Sequence, residues 1–249
     1  MANSQPKQEA DGIGDQVAGD LARTLDEAAR GLIERGEEGV EHTLELIVRG
    51  AIDTVPHVEQ AGVSLVERRG TVESHAPSSE VVRDLDRLQS ELQEGPCLDA
   101  IWHEQRTLIQ DMAAASERWS RWAPAAAERG IQSLISFQLF ANTGSAGALN
   151  MYSGTAKVFD DDTAEIGALF ASQAALVLHG AQRMAGLNIA LSSRDVIGQA
   201  KGILMERFDL GQDQAFAMLV RSSQHTNMKL VDVATWLAEE KEKNRKRRP

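Results

Sequence analysis

The chain has 249 residues, 42% of them hydrophobic and 25% charged, with a formal charge of −11 and a single cysteine. That composition excludes a disordered chain and supplies apolar material for two cores, while one cysteine excludes an internal disulfide framework and a cysteine-rich zinc site. The N-terminus has no basic start followed by an apolar run, and no apolar window approaches ~20 residues, so no signal peptide, no membrane span and a cytoplasmic location are expected.

Residues 1–16 read as a polar tail. Val17, Leu21, Leu25, Ala28 and Leu32 then recur at helical spacing, as do Leu44, Ile47, Val48, Ala51 and Ile52, and Pro56 ends the second helix. From Ala61 to Ser74 apolar and polar residues alternate around Arg69-Gly70, which predicts a β-hairpin. Val81 to Leu92 is amphipathic and helical, and Glu94-Gly95-Pro96 breaks it before a short apolar turn from Cys97 to Trp102. Thr107 to Gln110 is expected to be extended and Arg118 to Arg129 helical. Ile131–Ala141 and Ala146–Ser153 are expected to pair as strands. The succession predicts an α+β sheet domain with segregated helices.

Phe170, Val177, Met184 and Leu191 recur every seven residues with Leu187 at an offset of three, a stripe that fits either a coiled coil or a helix lying on the sheet. Self-association through it is expected. Three helices follow, at about 192–207, 212–224 and 228–240. Ile197, Ala200, Leu204 and Phe208 supply the inner face of the first, Phe216, Leu219 and Val220 that of the second, and Leu230, Val233, Ala234 and Leu237 that of the third. Arg194, Gly198, Lys201 and Met205 fall on a neighbouring face of the first helix. Gly211 stands where the second helix needs its cap, and Asn227 where the third does. From Ala181 onward there are 12 Lys and Arg against 8 Asp and Glu, a balance of +4, which leaves −15 for residues 1–180. A phosphate-bearing partner is therefore expected at the C-terminal end.

The run Arg194-Asp-Val-Ile-Gly-Gln-Ala-Lys201-Gly-Ile-Leu-Met205 resembles the first helix of the ANTAR family of RNA-binding antitermination regulators. The resemblance continues through Ala215-Phe216, Leu219, Arg221-Ser222, Asn227, Lys229-Leu230, Val233 and Ala234. Ala61-Gly-Val-Ser-Leu-Val, Glu94-Gly-Pro-Cys-Leu-Asp-Ala, Arg118-Trp119, Gly130 to Phe140 and Gly147-Ala-Leu-Asn-Met-Tyr resemble the GAF domain of GAF-ANTAR proteins of the actinobacterial type. The organisation expected is a tail and helix over 1–37, a GAF-like antiparallel sheet domain over 38–180, a connecting helix over 163–193, an all-α three-helix ANTAR module over 187–240 and a basic tail over 241–249.

The resemblance implies a homodimer that binds paired stem-loops in nascent mRNA and prevents the terminator from forming, under control of a small-molecule effector at the GAF domain. Unstacked loop bases are readable, whereas the deep groove of an A-form stem is not. Arg194, Lys201, Met205, Arg221, Ser222, Thr226, Asn227 and Lys229 are the expected RNA-binding residues. The alternative is a ligand or redox sensor acting through protein–protein association, with the helical bundle as a dimerisation element.

No catalytic constellation, metal site or cofactor is expected, and the effector is not legible. Cys97 reads as packing, since sulfoxide-reducing GAF domains need several cysteines. His75 and His103 are lone histidines and make no haem site. Asp160-Asp-Asp162 reads as a helix cap, and Trp102, Trp119 and Trp122 as core and rim.

Overall fold

The computed structural model describes residues 38–67, 71–99, 105–141 and 145–246, together with Gly19 and Arg23. Most of the helix expected over 17–32, the Arg69-Gly70 turn, Trp102, His103 and the last three residues lie outside the described residues. The chain divides into two compact units, Met1–Arg183 and Met184–Pro249, and each is taken by itself.

The first unit runs α1 (Glu38–Thr54), β1 (Gln60–Glu67), β2 (Val72–His75), α2 (Glu80–Leu92), a short α3 (Pro96–Asp99), β3 (Arg106–Ile109), a 3₁₀ turn (Ala114–Glu117), α4 (Trp122–Glu128), β4 (Ser133–Ala141), β5 (Ser145–Ser153) and the first half of α5 (Asp161–Phe208). The strands form one sheet in the order β2-β1-β5-β4-β3, every pair antiparallel. It is an α+β fold, as the sequence pattern indicates.

Strand alternation gives the sheet two buried faces. One carries Ala61, Val63, Ile135, Phe137, Leu149 and Met151, which pack with Leu44, Ile47 and Ala51 of α1 and with Phe170, Ala174 and Leu178 of α5. The other meets α2 and α4 through Val82, Leu85, Trp122, Ala126, Leu134 and Tyr152, with a smaller apolar cluster of Val66, Val72, Cys97, Ala146 and Ala148. On that second face the strand register sets Ser74 opposite Ser64 and Asn150 opposite Ser136, so a polar belt separates the two apolar clusters.

Local chemistry explains the helix ends. Ser79 caps α2, its Oγ accepting from the Val82 N–H at 3.3 Å, and Gln93 closes the helix in the left-handed region. The helix expected over 118–129 begins only at Trp122, because Pro124 has no N–H to give and is tolerated within the first turn. Gly130, at φ +87°, ends it.

The second unit holds the rest of α5, α6 (Gln212–Thr226) and α7 (Leu230–Lys246). The expected connecting helix and first bundle helix form one continuous helix of 48 residues. No proline or cap interrupts it, and the Ser192 hydroxyl donates back to the Ile189 carbonyl at 3.1 Å instead of starting a new helix. Among the described residues, α5 is by length and composition apolar enough to cross a membrane, which departs from the sequence expectation. Phe170, Ala174, Leu178 and Ala181 on it are buried, so packing accounts for much of that apolar content.

The heptad stripe divides accordingly. Phe170 is in the sheet core, whereas Met184, Leu187 and Leu191 are exposed. Leu169 and Leu176 are exposed on the part of α5 in the first unit, seven residues apart, and Leu187 and Leu191 on the part in the second, four apart.

Candidate nucleic-acid interface

Ala200 and Leu204 of α5, Ala215 and Leu219 of α6 and Ala234 of α7 form the interior of the second unit, flanked by Ile197, Met218, Leu230, Val233 and Leu237. Three of the five central residues are alanine, so the helices approach closely and large side chains are displaced to the flanks. This corrects two sequence expectations: Phe208 is 50% exposed and Phe216 42% exposed, neither belonging to the interior.

Arg194 and Met205 are exposed and Lys201 is half-buried, on one face of α5. The Lys201 Nζ lies 5.9 Å from the centroid of the Phe216 ring, a cation held over an aromatic face across the α5–α6 groove. Gln214 Oε1 accepts from the Gly211 N–H at 3.0 Å; glycine offers no side chain in return, so α6 has half of a capping box.

The remaining expected residues cluster at the other end of α6. Arg221 is exposed, and its Nε donates to the Ala217 carbonyl at 3.4 Å. Phe216 and Arg221 are five residues apart, about 140° around the helix axis, so Arg221 does not join the Lys201 groove. Ser222, Thr226 and Lys229 are exposed, and the Thr226 hydroxyl donates to the Ser222 carbonyl at 2.8 Å. Asn227 does not cap the third helix. It lies in the left-handed region at φ 52°, where asparagine is tolerated, and terminates α6, its N–H bonded to the Ser223 carbonyl. The first bonds of α7 run from the Asp232 and Val233 N–H groups to the Lys229 carbonyl at 3.0 and 3.2 Å, so that helix starts two residues later than expected. Ser223, which the sequence reading passed over, ties this turn by donating to the Met228 carbonyl at 2.6 Å.

A family model for the GAF domain matches residues 37–179, and one for the ANTAR domain matches residues 185–237. The chain belongs to the GAF-ANTAR regulators. No curated protein matches it. Solved structures similar to the GAF-ANTAR chain include the GAF domain of a phosphoenolpyruvate-protein phosphotransferase from Coxiella burnetii (14% identity, 68% of this chain and 98% of that one, TM-score 0.46). Others are free methionine-R-sulfoxide reductase from Neisseria meningitidis (15%, 68% and 91%, 0.45) and Escherichia coli SdiA (13%, 82% and 94%, 0.47).

Charge is unevenly spread within the ANTAR end of this GAF-ANTAR protein. Residues 187–240 carry five basic side chains against seven acidic, while 241–249 carry six against one. Lys241 hydrogen-bonds Glu206 of α5, which holds the Glu206 carboxyl below the usual range, and Lys243 lies 3.8 Å from Glu239. The positive balance thus comes from the end of α7 and the residues beyond, not from the bundle.

In the GAF domain Ser64, Asp86, Ser136 and Asn150 of the polar belt are buried and Ser74 is half-buried. Ser64 Oγ donates to Asp86 Oδ1 at 2.8 Å and accepts from Asn150 Nδ2 at 2.7 Å, and Ser136 Oγ donates to Asn150 Oδ1 at 2.7 Å. Tyr152 Oη has no hydrogen-bond partner. Burial raises the Asp86 pKa to about 6 against the pull of nearby Ser74, Ser64, Gln89 and His75. Cys97 is buried with its N–H donating to Gln89 Oε1 at 2.8 Å; burial, then the Asp86 charge, push its thiol up to about 12, so it stays protonated and unreactive at neutral pH.

Trp119 and Trp122 are buried edge to face, centroids 5.8 Å apart, with Trp122 Nε1 donating to the Leu85 carbonyl at 3.2 Å. His75 stands 3.6 Å from Glu41 and 3.8 Å from Glu73 at the sheet edge. Asp160 caps α5, accepting from the Thr163 N–H at 2.9 Å.

Proposed function

We propose that this GAF-ANTAR regulator is a cytoplasmic transcription antiterminator that acts by binding and not by catalysis. Its ANTAR module binds paired stem-loops in nascent mRNA as a homodimer, and so keeps the terminator hairpin from forming. The GAF domain receives the signal, its buried polar belt being the part equipped to engage a polar effector. The observation that carries the reading is the ANTAR match over residues 185–237, with Arg194, Lys201 and Met205 on one accessible face of α5. The exposed leucines of α5 support self-association, and they are also what a sensor working only through protein–protein association would need.

The test is titration of the purified protein with RNA carrying two short hexaloop hairpins, against duplex DNA, at low and moderate salt. RNA-selective binding is expected, with Lys201→Ala weakening it about tenfold, as loss of one charged contact does. Binding to neither nucleic acid, with self-association intact, would leave the association reading in its place.

The tail supplies a separate check. Changing Arg245, Lys246, Arg247 and Arg248 to Gln is expected to weaken binding to all RNAs alike and to reduce the slope of log affinity against log salt by up to about 3, from ~0.7 per phosphate contact on single strands. An unchanged slope would mean that the tail is solvated and makes no contact.

A further inference from the structure

We propose that Phe216, with Lys201 beside it, is a stacking platform for an unpaired loop base of the RNA, and that Phe208 offers a second such face two turns along α5 from Lys201. This rests on the RNA-binding reading above and names the contact that does the reading.

Packing gives these rings no role that explains their position. The interior beside them is filled by Ala200, Leu204, Ala215 and Leu219, and both phenylalanines stand about half exposed at its margin. Exposed rings on a bundle of net negative charge are suited to a partner with its own flat π faces and a charge of the opposite sign to Lys201, which describes a nucleotide. Phosphate attraction alone is a weak source of affinity where five basic residues face seven acidic. Base–aromatic stacking does not depend on net charge. In the free protein the Lys201 ammonium occupies the Phe216 face; a base stacking there releases it to the adjoining phosphate, so one site supplies both contacts.

The glycines of the same helix give an independent sign. A Cβ built on Gly198 or on Gly202 meets nothing within 4 Å, so no contact inside the chain requires glycine at either position. Gly198 lies within the Arg194–Lys201–Met205 stripe and Gly202 beside it, leaving a bare strip of helix backbone over which a ribose-phosphate chain can pass closely.

The experiment uses the full chain and the two-hairpin RNA with 2-aminopurine placed singly at each loop position, together with the same RNA made abasic at one loop position at a time. Phe216→Leu is expected to weaken binding roughly 5- to 150-fold, the loss of one base–aromatic stack, and to abolish the quenching of one loop position. Phe216→Tyr is expected to restore both, which separates stacking from a folding defect. Wild-type protein should bind RNA made abasic at the quenched position alone as weakly as Phe216→Leu binds the natural loops, and the two changes together should add no further loss. Gly198→Ala is expected to raise the melting temperature yet weaken RNA binding. If the wild type binds the RNA and Phe216→Leu binds equally well with quenching intact, the stacking assignment is wrong while the antiterminator reading stands. If the wild type binds no RNA, both fall, and the patch is a protein-docking surface.

Discussion

Replacing Asp86 with Asn is expected to stabilise the protein at pH 7 by about 3 kcal/mol and to remove a decline in stability between pH 4 and pH 6. The Asp86 carboxyl is buried and its pKa is raised from 3.8 to about 6, with burial the leading cause. A shift of this size corresponds to about 3 kcal/mol between the two protonation states. The folded state holds the proton more tightly than the unfolded chain, so between these two values the native protein binds more protons. Stability therefore falls as pH rises through the window and is flat on either side of it.

Asparagine keeps the shape, its Oδ1 can still accept from the Ser64 hydroxyl, and its uncharged amide removes the cost of burying a carboxylate. Denaturant titrations of the wild type and Asp86→Asn at pH 4, 5, 6 and 7, followed by tryptophan fluorescence, measure the difference directly. A variant less stable than the wild type at pH 7 would overturn the expectation, and would mean that the ionised carboxylate is held by a cation. The same belt would then be an ion-pairing site waiting for an amine or guanidinium group.

Much of the GAF sheet is legible in the sequence because its signals are local. The hairpin from Ala61, the amphipathic period of α2 and the paired strands β4 and β5 each follow from periodicity bounded by Gly, Pro or Ser. The polar belt is not legible in this way. Ser64, Asp86, Asn150 and Ser136 come from four separate elements, and only the register that sets Asn150 opposite Ser136 brings them together. A lone Asp on an amphipathic helix reads as solvent-facing, and Asp86 is at 1% exposure.

The candidate interface divides differently. That Arg194, Lys201 and Met205 share a face follows from their spacing along one helix. Which large residues lie inside does not, because spacing gives direction but not the distance between helices. With Ala200, Ala215 and Ala234 at the contacts, the interior is too narrow for Phe208 or Phe216, and the two rings that looked like core stand at its edge. Asn227 misled for a related reason. Asparagine serves both as an N-cap and as a left-handed terminator, and only the bonds to Ser223 decide between them.

The exposed leucines of α5 lead to the second large effect. Leu176 is 68% exposed and Leu169 51% in the first unit, and Leu191 is 60% and Leu187 58% exposed in the second. Leu187 and Leu191, one helical turn apart and left in water, match the pattern of a helix-pairing surface, and a second copy of the same helix presents an identical one. Changing Leu187 and Leu191 together to Glu is expected to convert a dimer to a monomer without unfolding either unit, since neither residue contributes to an apolar core.

The consequence for RNA follows from linkage of two binding events. A dimer engaging both stem-loops makes its second contact at an effective concentration set by the short span between them, worth roughly 10²- to 10⁴-fold in affinity. The double variant should lose that factor on two-hairpin RNA and retain the wild-type affinity for a single hairpin. Sedimentation equilibrium of both proteins, with parallel titrations of one-hairpin and two-hairpin RNA, measures each part. Equal losses on both RNAs would place Leu187 and Leu191 in the RNA contact itself. A wild type that sediments as a monomer would remove the dimer from the mechanism and leave each bundle to bind its own stem-loop.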